Sequence, residues 1–293
     1  MTKTFLTIAL SFFLLHLSAQ DAKTIELSVR NDSEIQITDT KKFNSKNSET
    51  EKSFGYTLEL TGKIISFSKG TVKIQFTPND FTFKMKDKKG NTTYNSADEN
   101  FYLKKKKALV ASAFVMEYNN TPNFKGEIKQ GKGEDGLVEK LKDMVNPEFH
   151  SEVGQLFETS YGQDLIKRII PLKNNTLVAM DSDLGFPLTK DKSNLEHLIS
   201  KELKLTPKLI KPAFTSISQE MNVTENITDP SSGFTSTVVT VLTGDINVSF
   251  KTGLLNSSNE TTKSQITSRN NKNEVLEESE ETVVRIFSVG SIN

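Results

Sequence analysis

Chemistry at neutral pH most often needs histidine, cysteine or a desolvated carboxylate, and this chain holds few of them. Its histidines are His16, His150 and His197. His16 falls in an apolar leader, and neither of the others has a second ligand three or four residues away, as a zinc site would. Cysteine is absent, which excludes thiolate ligation and thiol nucleophiles, and no Gly-x-Ser-x-Gly elbow marks a serine hydrolase. Glu277, Glu278, Glu280 and Glu281 could pose as paired carboxylates for acid–base work. Such a pair needs one member desolvated and raised in pKa, whereas a run of like charges before a strand is expected to be a solvated face. Asp181-Ser182-Asp183-Leu184-Gly185 echoes a calcium loop but lacks the third acid and the bidentate glutamate, and a turn is expected there.

Gly131-Lys132-Gly133-Glu134-Asp135-Gly136 spells the glycine fingerprint of a dinucleotide-binding turn. Glu134 and Asp135 would place negative charge where the pyrophosphate must sit, and the preceding Lys125 to Lys129 stretch is too polar for a buried parallel strand. A flexible turn whose acids favour a helix N-terminus is the expectation. Lys104 to Lys107 could meet an anionic surface, but in a neutral chain they are expected to guard an edge strand against aggregation. Asn91-Thr92-Thr93 and Asn222-Val223-Thr224 match the glycosylation triplet, which a chain rich in Asn, Ser and Thr generates by chance. No residue is therefore assigned a catalytic, cofactor-binding or metal-binding role. No cofactor is expected, and the binding residues remain unknown at this level.

The elements that would position any site begin after residues 1–19. Lys3, the apolar run from Phe5 to Leu15 and Leu17-Ser18-Ala19 form a secretory signal peptide, with cleavage expected after Ala19 or one residue later. No later stretch is apolar for long enough to cross a membrane as a helix. Without cysteine, a lipoprotein anchor and disulfides are both excluded.

Residues 20–133 read as an N-terminal antiparallel β region. Ile25, Leu27 and Val29 alternate with polar residues, as do Phe54 to Leu60, Val72 to Phe76 and Phe81 to Met85. Pro78-Asn79-Asp80 is expected to turn between the last two, and Gly62 to Lys69 adds a strand closed by Gly70. Asp39 to Ser53, apolar only at Phe43, reads as a long polar loop. From Ala97 to Tyr118 the pattern fits helix or strand, with strand preferred after Ala108 and a hairpin loop at Asn119 to Asn123.

Residues 134–205 read as a helical segment. Its first helix carries Leu137, Leu141 and Met144. A second is capped by Asn146 with Pro147 in its first turn and ended by Gly162. A third runs Leu165 to Ile170 and stops at Pro171. A fourth starts at a Ser193/Glu196 capping box. Both His150 and His197 fall on these helices as solvated residues.

Residues 206–293 return to antiparallel strands, with turns expected at Thr243-Gly244-Asp245 and Lys251-Thr252-Gly253, a loop at Asn270 to Asn273 and a last strand at Val283 to Val289. The fold class that follows is α+β, with antiparallel sheet at both ends of the chain and a central helical segment.

Lysine plus arginine equals aspartate plus glutamate at 37 each, so the basic surplus that nucleic-acid binding requires is missing. The 19 Phe against 5 Tyr and no Trp point to a packed interior or an apolar pocket rather than a sugar-stacking surface.

Four stretches also resemble a family of exported Bacteroidota proteins of unknown function. They are Leu17-Ser18-Ala19-Gln20, Thr93-Tyr94-Asn95-Ser96, the Phe124 to Leu137 passage and the hairpin Gly244 to Leu254. Some members look like lipoproteins, for which this chain lacks the cysteine. The resemblance implies a fold and a location outside the cytoplasm, and no activity. The reading that results is an exported, non-enzymatic binding protein of the bacterial cell envelope, periplasmic or extracellular. Its expected partner is an apolar small molecule or an envelope protein. A structural or assembly subunit is the alternative, and a carboxylate-dependent hydrolase the remaining one.

Overall fold

The structure, a computed structural model, describes residues 25–87, 90–95, 102–119, 127–130, 136–157, 161–173, 176–177, 196–210 and 213–292. Residues 1–19, expected to be a signal peptide, Gly131 to Asp135 and Asp181 to Gly185 lie outside the described residues.

Strands β1 (Glu34–Asn47), β2 (Glu51–Ser68), β3 (Thr71–Asp87) and β4 (Gly90–Asn95) open the chain. Helix α1 (Tyr102–Val110), β5 (Phe114–Asn119) and β6 (Glu127–Gln130) follow. Next come α2 (Leu137–Asp143), a 3-10 turn (Pro147–Phe149), α3 (His150–Leu156) and α4 (Tyr161–Ile169). A two-stranded ribbon, β7 (Leu172–Lys173) with β8 (Thr176–Leu177), precedes β9 (Glu196–Ile210), β10 (Phe214–Asp229), β11 (Phe234–Ser249), β12 (Leu255–Arg269) and β13 (Val275–Ile292). All strands but that ribbon join one antiparallel sheet in the order β6-β5-β3-β2-β1-β13-β12-β11-β10-β9, with β4 on the other part of β3.

The pairing of β1 with β13, from Glu34 opposite Ile292 to Asn47 opposite Ser279, fuses the two ends of the chain into that single sheet. The expected α+β architecture is thus overturned. The helices are pieces of seven to nine residues that share one hydrophobic core with the apolar face of a predominantly β molecule.

The period-two alternation decides which face that is. Ile35 and Ile37, Phe54 to Leu60, and Val72, Ile74 and Phe76 are buried, as are Phe81, Phe83 and Phe287. They cluster with Leu141 of α2, Val153 of α3 and Leu165 and Ile169 of α4. The opposite face carries Thr38, Thr40, Lys42, Thr57, Glu59, Lys73, Lys84 and, in the C-terminal strands, Glu220, Asn259 and Lys263, all half-buried or exposed.

Several local expectations are corrected. Pro78-Asn79-Asp80 is no turn but a bulge inside β3. Glu59 pairs with Asp80 and Leu60 with Pro78, leaving Asn79 as the extra residue, whose amide donates to Thr61 Oγ1 at 2.7 Å. One unpaired residue switches the buried parity from Val72-Ile74-Phe76 to Phe81-Phe83 while keeping both sets on one face. Thr243-Gly244-Asp245 likewise stays within β11, and Gly62 within β2.

The Asp39 to Ser53 loop is strand for most of its length, because pairing on both sides of β1 outweighs its polar composition. Ile25, Leu27 and Val29 lie against the core without forming a strand. Lys104 to Lys107 sit in α1, not on an edge strand, and Gly162 lies within α4.

The fourth helix is also absent. Glu196 begins β9, so His197 is on a strand, at an edge where Pro207 and three lysines suit a strand with one unpaired side. The expected turns at Gly70 and Gly253 do form. Lys69 and Gly70 both have positive φ, as a two-residue hairpin of the primed type requires. Gly253 has φ +71° and no room for a Cβ, which would stand 2.5 Å from Glu26 O.

Candidate functional site

Two places gather polar groups. The first is inside. Asp39 continues the Ile35–Ile37 row of β1 on the buried face, and β1–β13 pairing brings Arg285 diagonally beside it. Arg285 donates from Nε to Asp39 Oδ1 at 2.8 Å and from Nη2 to Oδ2 at 2.7 Å. The Tyr56 and Tyr161 hydroxyls donate to the same Oδ2 at 2.8 and 2.9 Å. Arg285 Nη1 also reaches Asp164 Oδ2 at 2.6 Å.

Asp164 and Arg168, one helical turn apart on α4, pair at 3.0 Å, and Arg168 Nη1 donates to Glu260 Oε1 at 2.7 Å. Glu260 stands directly opposite Arg285 in the β12–β13 ladder. Three carboxyl groups and two guanidinium groups thus bind α4 to three strands, with two tyrosine hydroxyls serving the carboxylate at one end.

Burial acts against every charge here, and the partners decide the outcome. It would raise the Asp164 carboxyl, but Arg168 and Arg285 outweigh it and hold that group well below the usual carboxylate range. Burial, then the neighbouring Asp39 charge, pushes the Tyr56 and Tyr161 hydroxyls well above theirs. Both Asp39 oxygens are engaged, and the residue is fully buried. A substrate has neither a lone pair to approach nor a path to it. This is a structural ion-pair network.

Gln219 sits in the same row one gap further across the sheet: β10 places it opposite Gly244, and Gly244 is opposite Glu260. It is 1% exposed, yet among the described residues neither its amide nitrogen nor its oxygen has a partner, and the Ser258 hydroxyl on β12 is orphaned in the same way.

The second place is an open groove of about 550 Å³ on the outer face of β1, β2 and β3. The ladders set its residues in a three-by-three grid. Thr40, Lys42 and Asn44 come from β1, Thr57, Gly55 and Ser53 from β2, and Thr82, Lys84 and Lys86 from β3. At its centre Gly55 carries no side chain, and a Cβ there would stand 2.5 Å from Lys41 O. Thr40 and Thr57 share a hydrogen bond at 3.2 Å, and Ser53 donates to Asn44 Oδ1 at 2.7 Å. The grid contains no carboxylate.

The residues weighed in the sequence fall elsewhere. His150 is half-buried at the start of α3, and His197 is on β9, so the two are not brought together. Glu277, Glu278 and Glu280 lie exposed on β13, while burial raises the half-buried Glu281 carboxyl. Among the described residues no three His, Cys, Asp or Glu side chains gather as a metal site would require.

Sequence reasoning missed both the network and the groove. Three signals stood in reach. An aspartate continues an apolar alternation at Ile35–Ile37–Asp39. An arginine interrupts Val283–Arg285–Phe287. An Asp/Arg pair stands at i,i+4 among Leu165, Ile166 and Ile169.

No family model and no curated protein matches the chain. Among solved structures it is similar to an outer membrane channel from Pseudomonas putida at 6% identity and TM-score 0.24, over 93% of this chain and 100% of that one. It is similar also to the outer membrane protein OprD from Pseudomonas aeruginosa at 6% identity and TM-score 0.24, over 92% and 96%. At such scores the backbones do not superpose as one fold, and these likenesses carry nothing about what the chain does.

Proposed function

We propose that this chain is an exported, non-enzymatic binding protein of the bacterial cell envelope that engages its ligand on the outer face of the sheet. The observation that carries this reading is the division of labour between the two faces. Over β1, β2 and β3 the inner one is taken up by a core in which Leu141, Val153, Leu165 and Ile169 already cover the sheet. An apolar ligand would have to displace them, so the ligand surface is assigned outside. The Asp39, Asp164 and Glu260 carboxylates inside are held by Arg168 and Arg285, which favours a structural over a hydrolytic role for them.

Thr, Ser, Asn, Lys and Glu dominate the outer face, where a barrel embedded in a bilayer presents an apolar band to lipid. The protein therefore works in water. Export rests on the signal-like leader and on the resemblance to exported Bacteroidota proteins.

Fractionation of cells expressing the full chain tests the reading: a processed form lacking residues 1–19 is expected outside the cytoplasm, and an unprocessed cytoplasmic protein refutes it. Native mass spectrometry of the processed chain adds a second arm, in which a retained lipid would return the ligand to the inner face. Recovery of one constant protein partner from envelope extracts would instead favour the assembly subunit.

A further inference from the structure

We propose that the groove over Gly55 binds a multiply charged oxyanion of the phosphate class, a phosphate ester or a pyrophosphate. The inference rests on the binding reading above and gives its outer-face site a ligand chemistry. Three features of the grid converge. Lys42 and Lys84 face each other across Gly55 in one cross-strand row, about 10 Å apart at two strand spacings. Lys86 follows Lys84 on the same face of β3, about 7 Å along the strand. All three are exposed and have no ion-pair partner among the described residues.

The contrast along the same strand is informative. Lys73, also outward on β3, is paired with Glu117 at 3.0 Å. The sheet does neutralise a lysine where an acid is within reach, yet every cross-strand and along-strand neighbour of Gly55 on that face among the described residues is neutral or positive. Like charges set close on one face are unfavourable, so three unpaired ammonium groups mark a place where an anion lowers the energy of the assembly.

Gly55 completes the argument. It puts no side chain between the two lysines, and with the Lys41 carbonyl packed where a Cβ would stand the floor of the row is backbone. The hydroxyls of Ser53 and Thr82 line the same groove. Lysine meets phosphate as a compact charge with three donors, and a doubly charged tetrahedral group can engage several such donors at once. A single carboxylate would leave part of the positive charge unmatched. The volume of about 550 Å³ falls within the range of small-molecule sites.

Isothermal titration calorimetry of the purified chain with inorganic pyrophosphate tests this at low and at physiological salt. Saturable binding of one ligand per chain is expected, weaker at higher salt as screening requires. Lys42→Gln and Lys84→Gln should each weaken it about tenfold, with circular dichroism melts unchanged. Lys73→Gln should leave it intact.

Flotation with vesicles of phosphatidylglycerol, compared with phosphatidylcholine alone, separates two sources of the same chemistry. Lysine-dependent flotation identifies a lipid headgroup, and binding of pyrophosphate without flotation identifies a soluble ligand. No saturable binding in either arm, or equal weakening by Lys73→Gln, overturns the proposal. Because the measurements use purified protein, a failure of export would leave them standing.

Discussion

Asp39 accepts four hydrogen bonds where solvent does not reach, two from Arg285 and one each from Tyr56 and Tyr161. Removing one partner of such a buried pair strands the other, so Asp39→Ala is expected to cost about 3–5 kcal/mol in urea denaturation. Adding Arg285→Met should cost less than the sum of the single changes, because the stranded charge is removed as well. Gln219 presents the opposite case. With both amide atoms buried and unpaired, Gln219→Met keeps the shape and removes a desolvation penalty, and a gain of about 1–2 kcal/mol is expected. A loss would show that the amide has a partner in solution. Two pH limits follow from the same network. The Asp164 carboxyl is held below its ordinary value, so the unfolded chain binds its proton first as pH falls. Stability is present above roughly pH 4 and drains away below it. The Tyr56 and Tyr161 hydroxyls are pushed above theirs, so the unfolded tyrosines ionise first, and stability declines as pH rises beyond about 10. Thermal melts across pH should show both limbs, and Tyr161→Phe should flatten the alkaline one.

Asn79 decides the register of a whole element. As the extra residue of the β3 bulge it lets Val72, Ile74 and Phe76 share a face with Phe81 and Phe83 despite the change of parity. Deleting it would close the bulge into a regular ladder in which Phe81 and Phe83 still face the core, whereas inserting one further residue there would turn Phe81, Phe83 and Met85 outward and bring Thr82 and Lys84 in. The deletion is therefore expected to keep a cooperative melting transition and the insertion to abolish it; an insertion variant that melts like the parent would sink this account. The same residue shows what could be read from the sequence. Alternation identified the strands around Phe54, Val72, Phe81 and Ile246 and their buried side, because period two is a local signal. Pro-Asn-Asp reads as a turn in isolation, and only the partner strand β2 turns it into a bulge. β1 was missed for the same reason: Thr38 to Asn47 has little apolar content, and its strand state comes from neighbours on both sides. At β9 a capping-box pattern misled, since tertiary pairing with β10 overrode it. The groove was illegible for a deeper reason. Lys42, Gly55 and Lys84 come from three strands, and their meeting exists only in the cross-strand register.

The whole molecule depends on the seam between β1 and β13. Arg285 finds its carboxylates on β1 and α4, and Glu260 finds its guanidinium on α4, so each half of the chain holds charges that only the other half can satisfy. Ile246, Val248 and Phe287 of the C-terminal strands belong to the same core as Phe54, Phe83 and Leu165. A fragment of residues 196–293 would expose that apolar surface and leave Arg285 without Asp39 or Asp164, while residues 20–177 would leave β1 as a bare edge and Arg168 without Glu260. Neither fragment is expected to fold alone: the C-terminal one has an uncovered apolar face, and the N-terminal one keeps its helices but has β1 as a long free edge and Arg168 stripped of Glu260. Mixed from denaturant, the two should recombine through the β1–β13 ladder into a one-to-one complex with the circular dichroism of the intact chain. Size-exclusion chromatography and thermal melting check this directly. A C-terminal fragment that is monomeric and melts cooperatively by itself would mean that the seam joins two independent sheets. The intact chain would then unfold in two steps, and the buried network would be a contact between domains instead of the centre of one.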